Sequence, residues 1–200
     1  MPNGAVVAFY PDTHTYVVNG VEVPSVTTML SRVYGDTYAA VNPDILKRAA
    51  DYGTAVHQEL QEWIDIRKST SGAEVVSAYP EVNNYFNLVE PLYKIQPIDT
   101  ERVVVLYDPE GKPVAAGRFD LLCFVDGVLT LADFKTTSTI HKKLVTAQLN
   151  LYARAAAQSG YLQTENIGLG VIHLSGSVAR FVPVPKLGEG FYLKFTKDPL

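Results

Sequence analysis

One cysteine, one tryptophan and two methionines stand among the 200 residues of this chain. A lone thiol, Cys123, can close no intrachain disulfide, and it rules out a four-cysteine iron–sulfur cluster. Set in an apolar run, it reads as a small core residue rather than a nucleophile. No apolar run approaches the ~20 residues of a membrane span, and Met1-Pro2-Asn3-Gly4 opens no signal-peptide pattern. The expectation is a cytoplasmic protein without a membrane partner. Internal repeats and low-complexity segments are missing too. Charge is sparse, at 19% of residues, and the formal net charge is −4. That balance argues against a protein that coats nucleic acid. It leaves room for an enzyme that grips it locally, because carboxylates gathered for metal ions count against the net charge. The apolar share is 47%, enough over this length for one domain, residues 1–200, with a proper core.

The chain is organised around residues 117–136. Leu121-Leu122-Cys123-Phe124-Val125 and Val128-Leu129-Thr130-Leu131-Ala132 flank Asp126-Gly127. Asp-Gly between two apolar runs signals a type I′ turn, whose central residues both need positive φ. The implied register sets Val125 against Val128, Leu122 against Leu131 and Asp120 against Asp133. Opposed side chains have Cβ atoms roughly 4.5–5.5 Å apart, and like charges there repel, which a bound cation would offset. Period two brings Lys135 to the face of Asp133. Two acids and a lysine then converge, a set suited to metal-dependent phosphodiester cleavage. On this register Leu122, Phe124, Leu129 and Leu131 share the Asp120/Asp133 face, and Phe119, Leu121, Val125 and Phe134 take the other. Arg118 falls opposite Lys135, so either a phosphate bridges the two cations or the strands splay.

Asp120, twelve intervening residues and Asp133-Phe134-Lys135 resemble the PD-(D/E)XK nuclease signature. Gly117-x-x-Asp120, Asp133-x-Lys135-Thr136, Gly53-Thr54-Ala55-Val56-His57 upstream and Gln148-Leu149-Asn150-Leu151-Tyr152 downstream resemble its RecB-like exonuclease branch. A hairpin followed by Pro24-Ser25-Val26-Thr27 looks like the opening of compact phage-encoded members. The resemblance implies an α/β fold: a single-domain, restriction-endonuclease-like core with a mixed central sheet flanked by helices and an N-terminal β-hairpin. It also implies a nuclease acting on DNA in phage or bacterial recombination and repair, exonuclease rather than structure-specific endonuclease. A recombination or single-strand-binding protein is a possible partner. One or two Mg²⁺ or Mn²⁺ ions would be held by His57, Asp120, Asp133 and the Phe134 carbonyl. Asp120, Asp133 and Lys135 would be catalytic, and Gln148 and Tyr152 would position the nucleic-acid backbone. Relatives often carry an acid at the place of Glu101. A catalytically silent binding protein and an unrelated metal-binding structural protein remain the alternatives.

In chain order, residues 1–40 hold a hairpin and a helix, 41–184 the core and 185–200 a tail. Val6–Phe9 leads through Pro11-Asp12 to Thr15–Val18, which turns at Asn19-Gly20 into Val21–Val23. Ser25 is a natural N-cap. Asn42-Pro43 opens a long helix to about Arg67, with stripes Val56/Leu60/Trp63/Arg67 and His57/Gln61/Ile64, and with Glu59 and Glu62 on a solvated face. Tyr79-Pro80 opens another, with Val82, Tyr85, Phe86, Val89 and Leu92 buried. Its aromatic stripe, like Tyr93, reads as core before it reads as a base-stacking platform. Glu101–Tyr107 is a strand turning at Pro109-Glu110-Gly111-Lys112. Lys142–Gln158 is a helix burying Leu144, Ala147, Leu151 and Ala155, with His141-Lys142-Lys143 supplying basic charge at its start. Strands at Ile167–Leu174 and Val178–Val184, turning at Ser175-Gly176-Ser177, precede a solvated tail carrying Lys186, Lys194 and Lys197.

Overall fold

The computed structural model describes residues 1–10, 13, 15–35, 41–70, 73–164, 166–176 and 178–196. The expected turn at Pro11-Asp12, Ser177 and Lys197 lie outside them. Two sheets form. The smaller is antiparallel, β1 (Val7–Tyr10), β2 (Thr15–Val18) and β3 (Val21–Val23), so the N-terminal hairpin carries a third strand. The larger runs β4 (Gln96–Tyr107), β5 (Pro113–Val125), β6 (Val128–Lys135), β7 (Gly168–Ser175), β8 (Val178–Pro183). Every neighbouring pair in it is antiparallel except β6 and β7, which are parallel. Parallel neighbours need a crossover, and α5 (Lys142–Gln158) supplies it. The fold is α/β with a mixed central sheet between helices.

Each helix covers one face of that sheet. Val26, Met29 and Leu30 of α1 (Val26–Tyr34), with α5, pack on Val104, Leu122, Leu131 and Val171. Val56, Leu60 and Ile64 of α2 (Pro43–Ser69) cover Leu121, Cys123, Ala132 and Phe134 on the other side. Each such aliphatic side chain contributes about 1.5–3 kcal/mol relative to exposure. α3 (Pro80–Asn84) runs through a π-helical turn, Tyr85–Val89, into α4 (Glu90–Leu92), and Tyr85, Phe86 and Val89 join the α2 layer. Tyr85 and Phe86 are therefore core, whereas Leu92 faces solvent, because the wider π turn rotates the residues after it off the buried stripe. Local chemistry starts the helices as expected. Ser25 Oγ accepts from the Thr28 N–H at 3.0 Å, and the Asn42 side chain accepts from the Asp44 N–H at 2.8 Å. Asp126 and Gly127 have φ of 47° and 81°, the I′ geometry that Asp-Gly favours.

Three expectations need correction. Pairing of β5 with β6 runs from Val125↔Val128 to Leu121↔Ala132 and stops there, so Asp120 and Asp133 are not ladder partners. Beyond that point the strands part. Arg118 pairs with Glu101 and Lys135 with Asp133, which removes the conflict between two opposed cations. Second, Phe119 packs with Leu122 on the α5 side, not with Leu121, because alternation along β5 breaks at Asp120. Phe124, near the hairpin tip, is exposed. Third, the tail is not wholly solvated: Lys186 and Lys194 are exposed as expected, but a packed helix lies within it. Its α6 (Glu189–Thr196) buries Tyr192 and Phe195. Asn150 of α5 holds the chain leading there, donating to Pro185 O at 3.0 Å and accepting from the Leu187 N–H at 2.8 Å. Leu144 is only half-buried, and Val145 and Leu149 take the core positions on α5. Among the described residues, no helix is long and apolar enough to cross a membrane.

Candidate metal centre

Three elements deliver the site. His57 comes from α2, Glu101 from β4 and Asp120 from β5, and one ligand atom from each lies within 4.8 Å of the others. His57 Nδ1 is 3.5 Å from Asp120 Oδ2. That oxygen also accepts a hydrogen bond from the Phe134 N–H at 2.8 Å, a contact that replaces the missing ladder bond where β5 and β6 part. Edge-to-face packing orients the imidazole. His57 stands against Phe134 with ring centres 5.8 Å apart, and Phe134 against Tyr85 at 5.4 Å.

Glu101 carries the strain of the site. Its φ is 53° in the middle of β4, whereas Asn19 and Asp126, also at positive φ, open tight turns. A side chain in this left-handed region costs of order 1–3 kcal/mol and persists only where its surroundings hold it. The β4–β5 register pairs Thr100 with Leu121 and Arg102 with Phe119, so Glu101 sits across from Asp120, at the break in alternation. Burial, reinforced by Asp120, pushes its carboxyl up to about 7, although Arg118 and His57 oppose the rise. The expected ligand set did not include Glu101. The β4–β5 turn is not a two-residue loop, so the sequence gives no register that would have set it opposite Asp120.

Asp133 lies beside this trio but not within it. It is buried, and Lys135 Nζ stands 2.6 Å from its Oδ2, close enough for an ion pair though poorly angled for a hydrogen bond. Burial pushes the Asp133 carboxyl up, Lys135 pulls it back, and Asp120 adds to the rise. The Phe134 ring and N–H face the site. Two glycines let elements close in. A Cβ at Gly117 would stand 2.7 Å from Tyr152 Cε1, so the absence of one lets the α5 tyrosine lie on β5 three residues before Asp120. A Cβ at Gly53 would meet Thr136 Oγ1 at 3.2 Å, close to where β6 ends after Lys135. Tyr152 is buried, and its hydroxyl is pushed up chiefly by burial, with the nearby Gln148 opposing the rise. Gln148 lines a separate cavity that also contains Lys135.

The cleft over the trio has a volume of about 610 Å³. Arg118, Phe9 and Tyr16 line it, as do Glu62 and Asp65 of α2, and Glu62 is solvent-exposed at its edge. An imidazole and two carboxylates, held together with a third carboxylate alongside, fit a hard divalent cation with one nitrogen donor, Mn²⁺ or Mg²⁺. Burial is the main cause that raises the Glu101 and Asp133 carboxyls, and the neighbouring Asp120 adds to both shifts.

No family model and no curated protein matches the chain. Among solved structures, the crystal structure of SSO0001 is similar at 14% identity with a TM-score of 0.39, over 76% of this chain and 69% of that chain.

Proposed function

We propose that this chain is a metal-dependent nuclease that hydrolyses DNA phosphodiester bonds, most naturally an exonuclease of the RecB-like PD-(D/E)XK type. The observation that carries the reading is the meeting of His57, Glu101 and Asp120 beside the Asp133–Lys135 pair. His57, Glu101 and Asp120 would hold the ion, with Asp133 alongside them. Once bound, a divalent ion lowers the pKa of water and offsets the charge gathering on phosphate.

The chain's own residues do the rest. Lys135 is partly exposed, and its ammonium already lies against Asp133, so it can turn to a phosphate oxygen or orient the attacking water. Asp133 keeps that ammonium at the site between turnovers. The Phe134 N–H fixes the Asp120 oxygen that lies nearest His57, and so orients the carboxylate that would help hold the cation. Tyr152, seated on Gly117, sets the height of β5 and so of Asp120. None of these groups reads a base, so selection rests on strand form and ends.

End-labelled single- and double-stranded DNA, incubated with the protein in Mn²⁺ or Mg²⁺ and in chelator, tests the reading. Products should form only with metal. Intact DNA in every lane would overturn it, and a mobility shift without cleavage would point to the silent binding protein instead.

A further inference from the structure

The N-terminal sheet is not remote from the site. Ala116 N–H donates to Pro24 O at 3.0 Å, and Ser25 bridges to Ala116, so β3 and its extension are tied to β5 just before Gly117. Tyr16 and Val18 share a buried cluster with Val105 and Ala116. This docking sets two aromatic rings on the cleft. Phe9 and Tyr16 are register partners across β1 and β2, with ring centres 4.7 Å apart and planes tilted by 35°. Both line the cavity that holds His57, Glu101 and Asp120. Tyr16 is buried, while Phe9 is 39% exposed. The α2 lining is polar, with Gln58 and Gln61 beside the carboxylates Glu62 and Asp65, the latter near Lys68. A strand entering here meets an aromatic wall from the N-terminal sheet and acidic groups that repel phosphate from α2.

We propose that Phe9, backed by Tyr16, is a base-stacking subsite for the unpaired nucleobase flanking the cleaved phosphate, so that the cleft takes a single DNA strand and not an intact duplex. The proposal rests on the nuclease reading above and adds the form of the substrate. Its physical basis is that a base offers its π-face to a side chain only when its neighbours in a duplex have let go of it. A second strand would also bring its phosphates toward Glu62 and Asp65. Stacking on an aromatic side chain tolerates any base.

The test compares wild type, Phe9→Leu and Phe9→Trp. Leucine keeps apolar cover over Tyr16 without the π-face; tryptophan keeps the face and adds a fluorophore, the chain's own Trp63 being subtracted with the wild-type signal. The probes are a short oligothymidylate and a strand of the same length made of abasic sugar-phosphate, both in Ca²⁺ to hold metal without turnover. Phe9→Leu should bind oligothymidylate about tenfold more weakly than wild type, with unchanged affinity for the abasic strand and an unchanged melting temperature. Phe9→Trp should keep its affinity and be quenched by oligothymidylate but not by the abasic strand. Equal binding of oligothymidylate by Phe9→Leu and wild type, or a bound but unquenched Phe9→Trp, would overturn the stacking subsite while leaving wild-type cleavage, and so the nuclease reading, intact. A wild-type protein that neither binds nor cuts DNA would remove both.

Discussion

Glu101 is the residue at which backbone, charge and position meet. Its folded-state pKa stands near 7 against an ordinary 4.5, chiefly through burial. A raised pKa means that the fold favours the protonated acid. In chelator, its contribution to stability is therefore full below about pH 4.5 and is lost as pH rises through about 7. Asp133 shifts in the same direction, so wild type carries both losses. Glu101→Gln cannot ionise, and its melting temperature should gain on wild type across that window, whereas a constant gap would show that Glu101 is not desolvated. Mn²⁺ should erase the wild-type deficit at high pH and do far less for the variant. His57→Ala leaves the carboxylates in place, so DNA cleavage should fall and partly recover at high Mn²⁺. A metal titration indistinguishable from wild type would return His57 to a purely packing role against Phe134 and Asp120.

At the scale of elements, much was legible in the sequence. Asp126-Gly127 placed the β5–β6 hairpin and its register, and Asn42-Pro43 and Ser25 placed two helix starts, because turns and caps are decided by residues adjacent in the chain. What the sequence hid arises between distant elements. The parting of β5 and β6 beyond Leu121 depends on Asp120 capturing the Phe134 N–H. The inclusion of Glu101 depends on a β4–β5 register that no tight turn announces. Burial of the tail depends on Asn150, thirty-odd residues upstream, whose side chain bonds a carbonyl and an N–H of that segment. Gly117 tests the packing of α5 on β5. Gly117→Ala would drive a methyl into the Tyr152 ring, and overpacking of this kind costs about 1–3 kcal/mol. Its melting temperature should drop, and Gly117→Ala combined with Tyr152→Leu should recover most of the loss. A Gly117→Ala protein as stable as wild type would mean that Tyr152 yields easily and does not set the position of Asp120.

Across the whole molecule, charge is distributed by role. The net charge of −4 coexists with a centre where Glu101, Asp120 and Asp133 are gathered around His57, and where Arg118 and Lys135 each hold one of the acids. Two helical layers and the N-terminal sheet converge on that centre from different sides of the central sheet. The account therefore separates what holds the cation from what drives hydrolysis, and Lys135 belongs to the second group because an ammonium cannot ligate metal. Lys135→Ala tests that division most directly. Removing the ammonium leaves Asp133 buried without its partner, so the variant should melt lower in chelator. Its Mn²⁺-induced rise in melting temperature should match that of wild type, while DNA cleavage in Mn²⁺ should fall on the order of 10²–10³-fold. A folded, Mn²⁺-responsive Lys135→Ala protein that cuts DNA within about threefold of the wild-type rate would contradict the account.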